Sequence, residues 1–228
     1  MCWLASLIWR SGLAHASTFM PPQGTDIATK FDSLYTFLVW ASVISSLLVI
    51  GGLIVFALKY KRRTESDKTA YISHDTRLEF LWSFIPFVIF MVCFAWGAYI
   101  YYQMRTVPKD AFEVHAVAQK WSWQFIYKSG KVSLNEFYVP ENKPIKMIIT
   151  SKDVLHSFYI PAFRVKQDAV PGRYTTLWFE ANKQGDFQVF CTEYCGKDHS
   201  QMLAKAKVVS EEEFEKWLAT DPDAEFKG

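Results

Sequence analysis

Cys191, Cys195, His199 and Met202 fall within twelve residues of one another, spaced C-x3-C-x3-H-x2-M. Two thiolates, an imidazole and a thioether on one short loop can converge on a single metal centre. Thiolate combined with thioether favours copper, whereas tetrahedral zinc sites draw on Cys, His and carboxylate. A mononuclear blue copper site uses one Cys, two His and a weak Met. With two Cys, two coppers bridged by shared sulfurs come within reach. A fifth ligand has to come from elsewhere, and His156, in Val154-Leu155-His156-Ser157-Phe158, is the best candidate. Two plainer readings compete: a tight Cys191–Cys195 disulfide in an oxidising compartment, and a hydrogen-bonded core role for His156.

A loop of this kind needs a stiff frame, and the chain offers one from about Arg105 onward. Short alternating, β-branched runs at 112–117, 146–150, 175–181, 187–191 and 204–209 are separated by turn signals such as Pro140-Glu141-Asn142 and Pro171-Gly172. Strands at this spacing predict an antiparallel β-sandwich or barrel. Residues 211–218 predict a short amphipathic helix whose leading glutamates suit its dipole.

The first half of the chain is of another kind. Residues 33–58 and 80–104 are uncharged runs, each exceeding the ~20 residues that cross a bilayer as a helix. Aromatic residues gather towards their ends, as in an interfacial belt: Tyr35, Trp40 and Tyr60 on the first, Trp82, Tyr99, Tyr101 and Tyr102 on the second. Lys59, Lys61, Arg62 and Arg63 follow the first run, with Lys68 and Arg77 beyond, whereas residues 17–34 contain only Lys30. The positive-inside rule therefore puts the loop 59–78 in the cytoplasm and the Cys/His/Met loop on the periplasmic side. Of the 228 residues, 50% are hydrophobic and 21% charged, which fits membrane spans joined to a soluble domain. A formal charge of +2 speaks against nucleic-acid binding. Ala14-His15-Ala16 resembles a small-x-small signal-peptidase site, although no basic start precedes it. Cys93 reads as a small core or lipid-facing residue, and Cys2 lacks a lipoprotein context.

His156, the segment Lys166-Gln167-Asp168-Ala169-Val170-Pro171-Gly172-Arg173 and the Cys191-to-Met202 loop together resemble subunit II of the haem–copper cytochrome c oxidases. The resemblance covers nearly the whole chain. It implies an outer N-terminal segment over 1–34, a two-helix transmembrane hairpin over 35–104 and an all-β, cupredoxin-like Greek-key domain over 105–228. It places the chain in a bacterial plasma membrane, or its mitochondrial inner-membrane equivalent. The implied function is electron transfer from cytochrome c, through a dinuclear copper A centre, to haem in oxidase subunit I. There oxygen is reduced to water and protons are pumped. Other oxidase subunits are the further partners.

Residue by residue, the resemblance implies that Cys191 and Cys195 bridge the two coppers, with His156 on one and His199 on the other. Met202 and the Glu193 carbonyl are then weak ligands, and the Glu193 carboxylate helps hold a magnesium at the subunit I interface. Trp121, in Gln119-Lys120-Trp121-Ser122-Trp123, corresponds to the indole through which electrons arrive; Trp123 reads as packing. Asp153 corresponds to an acid that docks cytochrome c, and Asp168 and Arg173 to positions near the catalytic subunit. The family more often has an amide at Lys120, an aromatic at Ser122 and an acid at Lys152. From Arg105 onward there are 17 Lys and Arg against 17 Asp and Glu, so this half is not acidic overall. Glu79, in a Glu-x-x-Trp-x-x-x-Pro setting, corresponds to the acid where protons are taken up; a simple interfacial anchor is the plain alternative. His74 and His115 carry no such context.

Three other functions can be told apart on sequence. A quinol oxidase subunit lacks the copper ligands. A nitrous-oxide-reductase-like enzyme would be large and lack paired spans. A membrane-tethered copper carrier would leave a ligand position open and have no use for Trp121 or Glu79. No C-x-x-C-H haem-attachment motif is present.

Overall fold

The computed structural model describes residues 20–220, which fall into two compact units. One comprises Thr29–Gln103; the other joins the described residues up to Ala28 with those from Met104 onward. Ala14-His15-Ala16 and Cys2 lie outside the described residues.

The first unit is a pair of long helices, α1 (Asp26–Lys59) and α2 (Thr76–Arg105). At 34 and 30 residues they run for about 51 and 45 Å at 1.5 Å per residue, more than a bilayer's hydrocarbon core requires. Both helices begin before their apolar runs. Asp26 stands in the first turn of α1, and Asp75 accepts the backbone N–H groups of Arg77 and Leu78 at the start of α2. Pro86 lies inside α2. The two helices touch through Phe37 and Trp96 (ring centroids 5.8 Å apart) and through a 3.0 Å hydrogen bond from Lys30 Nζ to Gln103 Oε1. Their apolar windows are otherwise unburied: Leu47, Leu48, Leu53 and Phe90 all face outward. A core helix of a soluble protein would bury that surface, whereas here it is left for lipid or neighbouring subunits to cover.

The second unit is a sandwich of two five-stranded sheets. The first contains β1 (Phe112–Gln119), β2 (Ser122–Tyr127), β3 (Val132–Leu134), β5 (Pro144–Ser151) and β8 (Thr175–Glu180), in the order β3-β2-β1-β5-β8. The second contains β4 (Glu136–Pro140), β6 (His156–Ile160), β7 (Val165–Ala169), β9 (Gly185–Cys191) and β10 (Leu203–Val209), in the order β4-β10-β9-β6-β7. Most pairs are antiparallel, but β1–β5 and β4–β10 run parallel, which corrects the expectation of a wholly antiparallel sandwich. Parallel neighbours need a crossover, and the chain makes both by passing to the other sheet before returning.

Alternation puts one face of each strand inside; β5, for example, buries Ile145, Met147, Ile149 and Ser151. The core between the sheets is aromatic. Phe125 and Phe137 lie 4.6 Å apart, and Trp123 meets Phe158 edge-on at 5.3 Å. A short helix, α3 (Glu211–Ala219), closes one end, with Trp217 stacked on Tyr138 at 4.3 Å. Ser210 caps this helix by accepting the Glu213 N–H. The segment before α1 is tied to the same unit by hydrogen bonds from Gly24 N to Ala162 O and from Asn182 N to Gly24 O. A Cβ at Gly24 would come within 2.6 Å of the Phe163 ring, so this close approach requires glycine.

Candidate metal centre

Three neighbouring strands of the second sheet build the centre. His156 is the first residue of β6, Cys191 the last of β9, and Met202 stands just before β10. Thr192 N donates to Ser157 O, which anchors the start of the loop against β6; Cys191 N donates to Met202 O, which closes its base. Inside the loop, His199–Gln201 form a 3-10 turn, and His199 N donates to Gly196 O. Gly196 has φ +127°, a backbone conformation that side chains with a Cβ rarely adopt. The strand pairing thus brings a residue 35 positions upstream beside the loop.

The donor atoms converge. Cys191 Sγ lies 3.8 Å from Cys195 Sγ, 3.8 Å from His156 Nδ1 and 3.4 Å from Glu193 O. Cys195 Sγ lies 3.4 Å from His199 Nδ1 and 3.9 Å from Met202 Sδ. His156 and Met202 are fully buried, both cysteines nearly so, and His199 is half-buried. The two thiols are free, and 3.8 Å is far beyond the ~2.05 Å of a disulfide. Burial, with the Cys191 sulfur alongside, pushes the metal-free Cys195 thiol up to about 12. A protonated Cys195 thiol beside a second sulfur fits a site whose proton leaves when a cation binds.

One further residue shapes the centre. His156 Nε2 lies 2.8 Å from Asp153 Oδ1 while Nδ1 faces the sulfurs. A proton held on Nε2 by the carboxylate leaves the Nδ1 lone pair for a metal. Asp153 is itself held by the N–H groups of Val154 (2.6 Å) and Lys120 (2.8 Å). Burial pushes its carboxyl up, but the hydrogen bonds from His156, Val154 and Lys120 outweigh that and hold it at about 2. Sequence reasoning assigned Asp153 to docking and did not see this role. The signal available was its i,i+3 spacing to His156. Behind the histidine, Ser157 Oγ donates to Asp168 Oδ1 at 2.6 Å.

The remaining candidates are spread more widely. Trp121 is half-buried, and its ring lies against Gly196, where a Cβ would sit 3.3 Å from Cζ2. Trp123 is fully buried and meets the His156 ring edge-on at 6.3 Å. The Glu193 carbonyl faces Cys191, and its side chain is half-buried. Tyr194, which sequence reasoning passed over, is exposed and lies edge-on to His199 at 5.8 Å. Glu79 stands in the first turn of α2, exposed, in the helical unit rather than with the metal-site residues.

Comparison with known proteins matches residues 96–209 to the periplasmic domain of cytochrome c oxidase subunit II, and residues 14–96 to its transmembrane domain. The chain belongs to the cytochrome c oxidase subunit II family. The alternative cytochrome c oxidase subunit 2 of Bradyrhizobium diazoefficiens is 31% identical, over 88% of this chain and 84% of that protein. The probable cytochrome c oxidase subunit 2 of Rickettsia bellii is 29% identical, over 94% and 85%. Among solved structures, the periplasmic domain of subunit II (CoxB) of Bradyrhizobium japonicum is 36% identical, with a TM-score of 0.50. That match covers 52% of this chain and 99% of the solved domain.

Family membership makes α1 and α2 a transmembrane hairpin and the sandwich a periplasmic, cupredoxin-like domain. The chain is thus a membrane-bound subunit of a cytochrome c oxidase, working in electron transfer from cytochrome c. The donors at its centre suit copper: two cysteine sulfurs, two imidazoles and a thioether, with no carboxylate oxygen among them.

Proposed function

We propose that this subunit carries a dinuclear copper A centre, held by His156, Cys191, Cys195, His199, Met202 and the backbone carbonyl of Glu193. When bound, the copper pair supplies a one-electron redox station between cytochrome c and the haem of subunit I. The observation that carries this reading is the 3.8 Å approach of two free, buried thiols, each with its own imidazole nitrogen beside it. Shared thiolates suit two metals better than one, because each sulfur has a lone pair to offer on either side.

The residues have separate tasks. Asp153 orients His156, and the backbone hydrogen bonds of the loop keep the other donors in place whether the centre is oxidised or reduced. The buried sulfurs exclude water, which keeps reorganisation around a moving charge small. Trp121 provides a π-surface between solvent and the Cys loop, where cytochrome c can make contact. Glu79 collects protons at the cytoplasmic boundary of α2 for the catalytic subunit. The Glu193 carboxylate, a hard oxygen donor, is suited to a magnesium ion at the subunit I interface.

Cys191→Ser in the assembled oxidase tests the centre. The expected result is complete loss of the mixed-valence electron paramagnetic resonance signal, with copper content falling by two per complex. A variant that keeps the signal would sink the bridged assignment.

A further inference from the structure

The two imidazoles of the centre are held in different ways. His156 is fully buried, its Nε2 lies 2.8 Å from Asp153 Oδ1, and the buried Trp123 ring meets it edge-on at 6.3 Å. His199 is half-buried, and its Nδ1 lies 3.4 Å from Cys195 Sγ. Among the described residues no hydrogen bond reaches its Nε2. The backbone bond from His199 N to Gly196 O fixes where the residue stands but not the plane of its ring. A metal-ligating histidine ordinarily has its far nitrogen held by a carboxylate, a carbonyl or water, which sets that plane. Within this chain, His199 has to be oriented by something else.

One side chain lies against the His199 ring. Tyr194 meets it edge-on, with centroids 5.8 Å apart and planes at 62°, an arrangement that aromatic rings favour. Tyr194 is 78% exposed, and His199 is its one ring contact among the described residues. An aromatic ring left this far in solvent gains little from burial, so core packing does not account for its place. Its backbone, by contrast, is fixed on both sides. The Glu193 carbonyl before it faces Cys191 Sγ at 3.4 Å, and Cys195 after it points its sulfur into the centre. The loop that carries the metal donors thus also delivers this ring to His199.

We propose that Tyr194 is a positioning residue for His199: contact with its ring sets the plane of the outer imidazole, as the Asp153 carboxylate sets that of His156. This rests on both histidines being copper ligands. The test uses the full chain, loaded with copper in detergent. Pulsed electron paramagnetic resonance reads the coupling of each imidazole to the unpaired electron, and competition with a chelator reads copper retention. Tyr194→Ala shifts the couplings of one imidazole, leaves those of the other as in the wild type, and weakens copper retention about fivefold, the share of a single aromatic contact. Tyr194→Phe keeps wild-type couplings and retention, because the ring and not the hydroxyl makes the contact. Asp153→Asn shifts the couplings of the other imidazole. Unchanged couplings in Tyr194→Ala, the same imidazole shifted by Tyr194→Ala and Asp153→Asn, or Tyr194→Phe behaving like Tyr194→Ala would overturn the positioning role. A wild-type chain that binds one copper, or shows coupling to a single imidazole, would instead overturn the ligand assignment beneath it.

Discussion

The β unit and the helical hairpin use apolar residues in opposite ways. In the sandwich, Phe125, Phe137, Trp123 and Phe158 bury one another, and the proposed metal donors sit on, or on a loop between, strands that this core holds together. In the hairpin, Leu47, Leu48 and Phe90 point outward, and contacts such as Phe37–Trp96 and Lys30–Gln103 join one helix to the other. The sandwich therefore specifies its own interior, whereas the hairpin depends on lipid and on neighbouring subunits. Precision sits in the first region and anchoring in the second, as their tasks require. A redox centre tolerates little movement, while a membrane helix has only to span and present a boundary residue.

The largest effect expected from breaking this contrast is in the core. Phe125→Ala should cost about 3–5 kcal/mol of β-unit stability, while Leu48→Ala in the hairpin should leave that unit's unfolding unchanged. Denaturant unfolding of the purified chain in detergent, followed by tryptophan fluorescence, separates the two. Equal effects would mean that the units are not independent in the way their packing indicates.

Asp153→Asn sharpens the contrast at the metal site. Loss of the carboxylate behind His156 should lower copper affinity about 10–100-fold, measured by competition with a chelator. It should also change acid stability. The Asp153 carboxyl sits at about 2 in the folded chain against an ordinary 3.8. Its contribution is therefore present above about pH 4 and is lost as the pH falls through about 2. With the screening at a partly exposed site, this amounts to on the order of 1–2 kcal/mol. The wild-type chain should lose that increment in this window, and the variant should not.

Trp121→Ala should slow reduction by cytochrome c about tenfold while the copper spectrum stays intact, since the ring touches the loop but supplies no ligand. Stopped-flow reduction with protein and small-molecule donors distinguishes this from a packing role, which would slow both equally. Glu79→Ala should have the smallest effect, lowering oxygen consumption a few-fold without altering the copper signal, as expected of a proton-collecting boundary acid. Wild-type turnover in the fully assembled variant would make Glu79 an interfacial anchor.

Much of this was legible in the chain itself. The spacing of Cys191, Cys195, His199 and Met202 is local, so a loop of fixed length brings them together almost regardless of the rest. The two spans were legible because bilayer thickness imposes a length that few other constraints impose. Short alternating runs revealed the β class for the same reason, since pleating alone sets their period. Tertiary structure alone decided the remainder. The parallel β1–β5 and β4–β10 pairings depend on which edges meet after the sheets stack. The hydrogen bond from Lys120 N–H to Asp153, and the seating of Trp121 on Gly196, join segments more than thirty residues apart. Asp153 reads as a docking acid in the sequence because its position corresponds to such an acid in the family it resembles. The imidazole and the Val154 N–H are local partners, but only the fold adds the Lys120 N–H, because a charge beside a buried core is stable only where hydrogen bonds replace the water it has lost.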